Sequence, residues 1–115
     1  MQILLIDDEP LELFISKKFL SQLHTVEGFN TLPDALQWAG SNSFDILVSD
    51  YNLGKGVHAF DVLKALQELK GKTFKAVVLT NHVDPTIVSE LISSGFDAVI
   101  EKPLSIDKFQ KTIGV

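Results

Sequence analysis

The sequence contains no cysteine and no long hydrophobic run, and both absences restrict the kind of protein it encodes. Without cysteine there is no disulfide framework, no thiolate nucleophile and no cysteine-ligated metal site. No apolar run approaches the roughly 20 residues that a membrane-spanning helix requires, and no basic segment typical of a signal peptide precedes the first apolar run. We therefore expect a soluble, cytoplasmic protein that does not engage a membrane.

Positive charge is also scarce, because the chain carries 10 basic and 15 acidic side chains and a net charge of −5. This balance argues against an electrostatic nucleic-acid binder, so we expect no direct nucleic-acid partner. It suits a divalent-cation site, although most acidic proteins are simply soluble. The 115 residues predict one domain over 1–115, long enough to bury about two-thirds of its unfolded surface without disulfide or metal staples.

What the sequence does contain is a regular alternation of short apolar runs and amphipathic segments. Near-continuous apolar runs are typical of strands buried on both faces of a parallel sheet. The predicted strands are 3–6, 25–29, 45–48, 76–79 and 98–100. The predicted helices are 10–23, 32–39, 59–69, 85–94 and 105–113. In the first helix, Pro10 suits the first turn, and Leu11, Phe14, Ile15 and Leu23 lie near helical spacing, which predicts an apolar face.

Five consecutive strand–helix units predict an α/β fold built on a doubly wound parallel sheet. Right-handed crossover connections leave few possible topologies for such a chain. In doubly wound sheets, ligands bind beyond the carboxyl ends of the strands, near the point where the strand order reverses. The residues that follow each predicted strand are therefore the first candidates for chemistry.

Polar side chains stand at four of these strand ends. Asp7 and Asp8 follow the first strand, Asp50 the third, Thr80 the fourth and Lys102 the fifth. Each residue taken singly is common where a strand turns into a loop. Taken together, they place three carboxylates, one hydroxyl and one ammonium group on the same edge of the predicted sheet.

The charges of this group suit Mg²⁺ and a phosphoryl group. Three carboxylates this close together raise one another's pKa and resist joint ionisation. Lys102 and one Mg²⁺ ion together would balance the three negative charges, and Mg²⁺ favours oxygen ligands. A carboxylate such as that of Asp50 can act as a nucleophile toward phosphorus and form an aspartyl phosphate. Phosphoryl transfer then requires mainly positioning and charge neutralisation.

Four segments together resemble one known family. They are "ILLIDDEP" (3–10), "DILVSDYNL" (45–53), "VVLTN" (77–81) and "EKP" (101–103). In this order, each at a strand end, they resemble the receiver domain of two-component response regulators, the CheY-like proteins. The resemblance covers essentially the whole chain. It implies a five-stranded (βα)5 sheet of the flavodoxin/CheY-like type, with strand order 2-1-3-4-5.

The resemblance implies a magnesium site and a phosphoacceptor. Asp50 matches the family's phosphoacceptor and, with Asp7 and Asp8, its Mg²⁺-binding carboxylates. Asp8 matches the direct metal ligand of the acidic pair. Asn52 matches the position whose backbone carbonyl binds the metal.

The resemblance also implies how the phosphoryl group is handled. Thr80 matches the switch hydroxyl, Lys102 matches the phosphate-binding lysine, and Lys102–Pro103 matches a peptide bond that is often cis in the family. Family members take the phosphoryl group from a phosphohistidine on a sensor histidine kinase or a histidine phosphotransfer protein. They assist only their own phosphorylation and dephosphorylation and signal by altered protein binding, so we expect a signalling protein rather than an enzyme.

Three positions depart from the family pattern. Val99 stands where the family usually has tyrosine or phenylalanine, so the aromatic rotamer switch cannot operate there. Gly54 stands where many members have proline, and the loop to the third helix is expected to be one residue longer. His82 follows Thr80 where small residues are common, and we hypothesise that it overhangs the phosphoryl group and alters its hydrolysis.

Three alternatives remain open from the sequence. A receiver fold that acts without phosphorylation is favoured by Val99. A phosphatase with an aspartate nucleophile usually has an Asp-x-Asp arrangement on its first strand, which Asp7-Asp8 lacks. A flavodoxin-like cofactor binder is disfavoured because carboxylates would repel a flavin phosphate and no phosphate-cradling loop follows the first strand.

Overall fold

The structure, a computed structural model, describes residues 1–114 and alternates strands and helices along them. The strands are β1 (Gln2–Ile6), β2 (Thr25–Phe29), β3 (Ile46–Asp50), β4 (Lys75–Thr80) and β5 (Ala98–Glu101). The helices are α1 (Pro10–Leu20), α2 (Leu32–Ala39), α3 (Ala59–Lys70), α4 (Pro85–Ser94) and α5 (Ile106–Ile113). Within the described residues, no helix combines the length and apolar character that crossing a membrane would need.

The five strands form one parallel sheet in the order β2-β1-β3-β4-β5. The chain moves outward from β1 to β2, then returns to place β3 on the other side of β1. This reversal puts the switch point between β1 and β3, where doubly wound sheets bind their ligands. The predicted α/β fold and its strand order 2-1-3-4-5 are confirmed.

Both faces of the sheet are covered by helices. Because successive side chains of a strand point to opposite faces, β1 sends Leu4 and Ile6 into one core and Ile3 and Leu5 into the other. All four side chains are fully buried. The first core contains residues of α2, α3 and α4, and the second contains residues of α1 and α5. Burial on both faces explains why β1, β3 and β4 contain nearly continuous apolar runs.

Helix α1 is shorter than predicted and ends at Leu20 rather than at residue 23. After Leu20 the chain tightens: the amide of Gln22 donates to the carbonyl of Phe19, and the amide of Leu23 donates to the carbonyl of Leu20. These three-residue bonds close the last turn. The chain then enters β2, where the Thr25 amide donates to the Met1 carbonyl.

The apolar face predicted for α1 is wrong. Leu11, Phe14 and Ile15 are 64%, 65% and 43% exposed, and Leu23, beyond the helix, is 60% exposed. The helix instead buries Ser16 and Leu20 against the sheet. These two residues are one helical turn apart, so they define a face rotated away from the predicted one. An apolar surface on α1 is thereby left exposed.

Candidate functional site

The carboxyl edge of the sheet brings the predicted strand-end residues together. Asp50 is the last residue of β3 and lies beside Leu79 of β4. Asp7 directly follows β1, Thr80 ends β4, and Lys102 directly follows β5. The predicted third strand stopped at residue 48, whereas β3 continues through Asp50. The carboxylate is therefore fixed by the hydrogen bonding of the sheet itself.

Three carboxylates form the centre of the site. Asp7, Asp8 and Asp50 each offer an oxygen within 4.8 Å of the others. Asp7 is 1% exposed and Asp50 is 9% exposed, whereas Asp8 lies at the surface. The cluster is therefore closed on the Asp7 side and open to solvent on the Asp8 side.

Hydrogen bonds fix the position of Asp7, but one oxygen of its carboxylate has no hydrogen-bond partner. The Glu9 amide donates to Asp7 Oδ1 at 3.0 Å, and the Asn30 side chain donates to the Asp7 carbonyl at 2.9 Å. Asp7 Oδ2 is buried and has no hydrogen-bond partner. A buried oxygen without a partner carries a desolvation cost, which suggests that another group satisfies it when the site is in use.

Burial also controls the ionisation of the two enclosed carboxyl groups. It raises the pKa of Asp7 from 3.8 to about 6, against the opposing effect of the hydrogen bond from the Glu9 backbone. It raises the pKa of Asp50 as well, while the hydrogen bond from Lys102 opposes the rise. Both carboxyl groups would lose this penalty if a cation joined them.

Lys102 joins three carboxylates at the buried side of the site. Its Nζ lies 3.1 Å from Asp50 Oδ1, 2.8 Å from Glu12 Oε2 and 3.8 Å from Asp7 Oδ2. Burial alone would lower the pKa of Lys102, but the hydrogen bonds to Glu12 and Asp50 and the negative charges of Asp50 and Asp7 together outweigh burial and raise it. The ammonium therefore stays charged beside Asp50. The Lys102 amide donates to the Thr80 carbonyl at 2.8 Å, which ties the lysine to the end of β4.

Glu12 is the site residue that the sequence reasoning missed. It lies in the first turn of α1, four residues after Asp8. Pro10 marks the start of this helix, so a reader of the sequence could have placed Glu12 above the same sheet edge as Asp8. What could not be read from the sequence is the direction of its side chain toward Lys102.

Thr80 lies at the predicted place, but its hydroxyl serves the adjacent loop. Thr80 is buried, and its Oγ1 donates to the His82 carbonyl at 3.1 Å and accepts from the His82 amide at 3.2 Å. Lys102–Pro103 is a cis peptide bond, as the resemblance implied. Val99 on β5 is partly buried and packs against the first core.

Asn52 and Gly54 shape the open side of the site. The Gly54 amide donates to Asn52 Oδ1 at 3.0 Å, so the asparagine side chain stabilises its own loop. Gly54 has φ +74°, which proline cannot adopt, and a Cβ there would lie 3.2 Å from Asp8 Oδ2. Glycine at this position therefore lets the loop pass close to the carboxylates. A depression of about 410 Å³ lies on this side, and the residues that line it include Asp8, Asp50, Asn52, Gly54 and His82.

The donor set fits a hard divalent cation. Its members are carboxylate oxygens, one of them buried without a partner, and the open side leaves room for water and a phosphoryl group. Mg²⁺ is bound in this way, through one or two carboxylates together with waters and phosphate.

Comparison with known proteins places the chain in a family. Residues 3–114 match the response regulator receiver domain. Sensor histidine kinase RcsC of Salmonella typhi is 27% identical over the whole chain, and the chain spans 12% of that protein's length. RcsC of Escherichia coli is 26% identical, again over 12% of its length.

Solved structures share the fold. A receiver domain protein from Clostridium thermocellum superposes with a TM-score of 0.84 at 22% identity, covering 98% of this chain and 90% of that one. A response regulator from Burkholderia pseudomallei, solved with a phosphorylated aspartic acid, a calcium ion and citrate, has a TM-score of 0.84 at 20% identity, covering 96% of this chain and 65% of that one. The chain belongs to the response regulator receiver domain family, a family of phosphoacceptor domains of two-component signalling.

Proposed function

We propose that Asp50 is the phosphoacceptor and that its phosphorylation requires Mg²⁺. The single observation that carries this proposal is the contact of 3.1 Å between Asp50 Oδ1 and Lys102 Nζ inside a cluster of three carboxylates. Asp50 stands at the end of a rigid strand with a neutralising cation beside it. This is the arrangement that a carboxylate nucleophile and a developing phosphoryl charge need.

The proposed metal ligands are Asp7, Asp8, Asp50 and the backbone carbonyl of Asn52. The unpartnered Asp7 Oδ2 and the chemistry of the donor set support this assignment. When bound, Mg²⁺ would neutralise charge on the carboxylates and on the phosphoryl oxygens. The residues of the chain hold the carboxylates in place and keep Asp50 beside Lys102.

The reaction is a transfer of one phosphoryl group. An oxygen of the Asp50 carboxylate forms the new bond to phosphorus while the bond from phosphorus to the donor's imidazole nitrogen breaks. The imidazole leaves with that electron pair and is then reprotonated. Lys102 donates to one phosphoryl oxygen, and we propose that Thr80 turns its hydroxyl from His82 toward another.

We propose a sensor histidine kinase or a histidine phosphotransfer protein as the donor, because the curated relatives are themselves sensor histidine kinases. We also propose that residues 1–115 form one receiver domain located in the cytoplasm. In this proposal the domain assists only its own phosphorylation and dephosphorylation, and its output is altered binding to a downstream protein.

The experiment is phosphorylation by a small donor. The protein is incubated with Mg²⁺ and acetyl phosphate, and its intact mass is then measured. We expect the addition of one phosphoryl group, with none in the Asp50→Asn variant and none in EDTA. An unchanged mass in the wild type, or an equal gain in Asp50→Asn, would contradict the proposal.

A second candidate function is an interaction module that works without phosphorylation. Val99 favours it, because an aliphatic side chain at this position removes the ring on which the family's usual switch depends. Such a module would bind its partner equally well before and after treatment with acetyl phosphate. Tight Mg²⁺ binding together with phosphoryl gain would reject this alternative.

A further inference from the structure

The shortest contact of Lys102 is with Glu12, a residue outside the carboxylate trio. Lys102 Nζ lies 2.8 Å from Glu12 Oε2, compared with 3.1 Å from Asp50 Oδ1. The lysine side chain is 12% exposed and the Glu12 side chain is 44% exposed. The glutamate therefore reaches from the surface of α1 to an ammonium group that is nearly enclosed.

This contact occupies hydrogen-bonding capacity that a phosphoryl group would need. An ammonium group has three N–H donors. In the structure, Lys102 directs donors to Glu12 and Asp50 and lies 3.8 Å from Asp7. A phosphoryl group on Asp50 brings charged acceptor oxygens to the same ammonium, and charge-assisted hydrogen bonds of this kind are the strong ones. The bond to Glu12 is then the contact that can be given up at least cost, because Glu12 is partly exposed and can be rehydrated.

Glu12 also changes the charge of the site. With it, the site holds four carboxylates and one ammonium group, so a divalent cation would leave one negative charge unbalanced before the phosphoryl group arrives. Like charges at this separation repel. Glu12 therefore opposes phosphorylation both by holding Lys102 and by adding negative charge.

We propose that Glu12 is a positioning residue that competes with the phosphoryl group on Asp50 for Lys102 and thereby slows phosphorylation. The inference rests on the proposed function of Asp50. Competition for Lys102 also has a structural consequence. Phosphorylation frees the Glu12 carboxylate on α1, so the state of Asp50 alters the surface of α1 without any aromatic ring at position 99.

The test compares three variants with the wild type. Glu12→Gln removes the charge at constant size, Glu12→Asp keeps the charge but shortens the side chain, and Glu68→Gln removes the same charge from the exposed face of α3. The rate of mass gain with acetyl phosphate and Mg²⁺ is measured for each. We expect Glu12→Gln to gain the phosphoryl group about threefold to tenfold faster, the size expected for a partly exposed charged contact. Glu68→Gln should match the wild type.

Glu12→Asp separates competition for Lys102 from simple repulsion. The shortened side chain loses its reach to Lys102 but keeps its charge. If Glu12 acts through the lysine, Glu12→Asp also accelerates phosphorylation, although less than Glu12→Gln, which removes the charge as well. A rate for Glu12→Asp equal to that of the wild type would overturn the proposal and leave repulsion alone.

A spectroscopic readout makes the contact testable without phosphorylation. The nitrogen-15 resonance of the Lys102 side chain is measured in the metal-free, unphosphorylated protein. We expect it to move in both Glu12 variants and to stay in place in Glu68→Gln, and no movement in either Glu12 variant would overturn the contact. A wild type that gains no phosphoryl group would overturn the proposed function as well. A phosphorylated wild type with an unchanged rate in Glu12→Gln would overturn the role of Glu12 alone.

Discussion

The two sides of Asp50 are built differently. On the α1 side, Lys102 links side chains from three parts of the chain: Asp50 on β3, Glu12 on α1 and the nearby Asp7. On the α4 side, the Thr80 hydroxyl bonds only to the backbone of His82, two residues further along its own chain. One side is a network of charges that crosses the sheet edge, and the other is a local turn.

The difference indicates where a change at Asp50 has the largest energetic effect. Buried charges interact strongly, and a new charge on Asp50 changes the energy of every group that shares Lys102. A neutral hydroxyl that bonds its own loop can turn at the cost of about two ordinary hydrogen bonds. We therefore expect substitutions on the α1 side to have larger effects than substitutions on the α4 side.

The largest effect is expected for Asp7→Asn. Burial raises the pKa of Asp7 from 3.8 to about 6, so its ionised form destabilises the folded protein. The free energy of unfolding of the metal-free wild type should therefore fall as the pH rises from about 4 to about 6. The variant should be more stable than the wild type by up to about 3 kcal/mol near pH 8 and barely more stable near pH 4. Urea unfolding in EDTA at the two pH values measures this difference.

Asp34→Asn is the matched control for Asp7→Asn. Asp34 lies exposed in the first turn of α2 and carries no burial penalty, so its removal should not produce this pH dependence. Adding Mg²⁺ should raise the urea midpoint of the wild type and of the control, because a ligand that binds only the folded state stabilises it. A wild-type stability that is flat between about pH 4 and pH 6 would show that Asp7 carries no burial penalty.

A smaller effect is expected on the α4 side, for Thr80→Val. The substitution keeps the shape of the buried side chain but removes the hydroxyl that bonds the backbone of His82. Loss of these bonds should lower the free energy of unfolding by about 1 kcal/mol. Phosphoryl gain from acetyl phosphate should become slower but should not be abolished. Unfolding in urea and intact mass measure the two effects.

Thr80→Ser is the control that restores the hydroxyl. It should recover the phosphorylation rate, while its missing methyl group still reduces packing in a residue that is 6% exposed. If Thr80→Val abolished phosphorylation as completely as Asp50→Asn, the two sides of Asp50 would be equally important. The charged network on the α1 side would then not outweigh the Thr80 hydroxyl on the α4 side.

The sequence predicted the parts of the molecule that follow from periodicity and strand ends. Continuous apolar runs marked β1, β3 and β4, because burial on both faces leaves few polar positions, whereas β2 at the sheet edge is a weaker run that contains Thr25, Glu27 and Gly28. Because the carboxyl ends of parallel strands lie on one edge of the sheet, a parallel sheet brings Asp7, Asp50 and Lys102 to the same edge. The helix boundaries at Thr31 and Asp84 follow from side chains that accept amide hydrogen bonds at helix starts.

The remaining features depend on directions that periodicity does not determine. Helix α1 carries more apolar residues than one face can hold, so the rotation that buries Leu20 and exposes Phe14 is selected by packing on the sheet. The same rotation sends Glu12 toward Lys102. One choice of helix orientation therefore accounts both for the wrong prediction of the apolar face and for the missed site residue.

The smallest effect is expected for His82→Ala. The His82 side chain is exposed and lines the same depression as Asp50, while only its backbone bonds Thr80. Alanine removes the ring and leaves those backbone bonds in place, so the variant isolates shielding of the phosphoryl group from the position of Thr80. We expect the phosphoryl half-life to shorten by about twofold to fivefold, equivalent to less than about 1 kcal/mol. Val83→Ala trims the next side chain, which is half exposed, and should leave the half-life unchanged. Equal half-lives for His82→Ala and the wild type would mean that water reaches the phosphoryl group regardless of the ring.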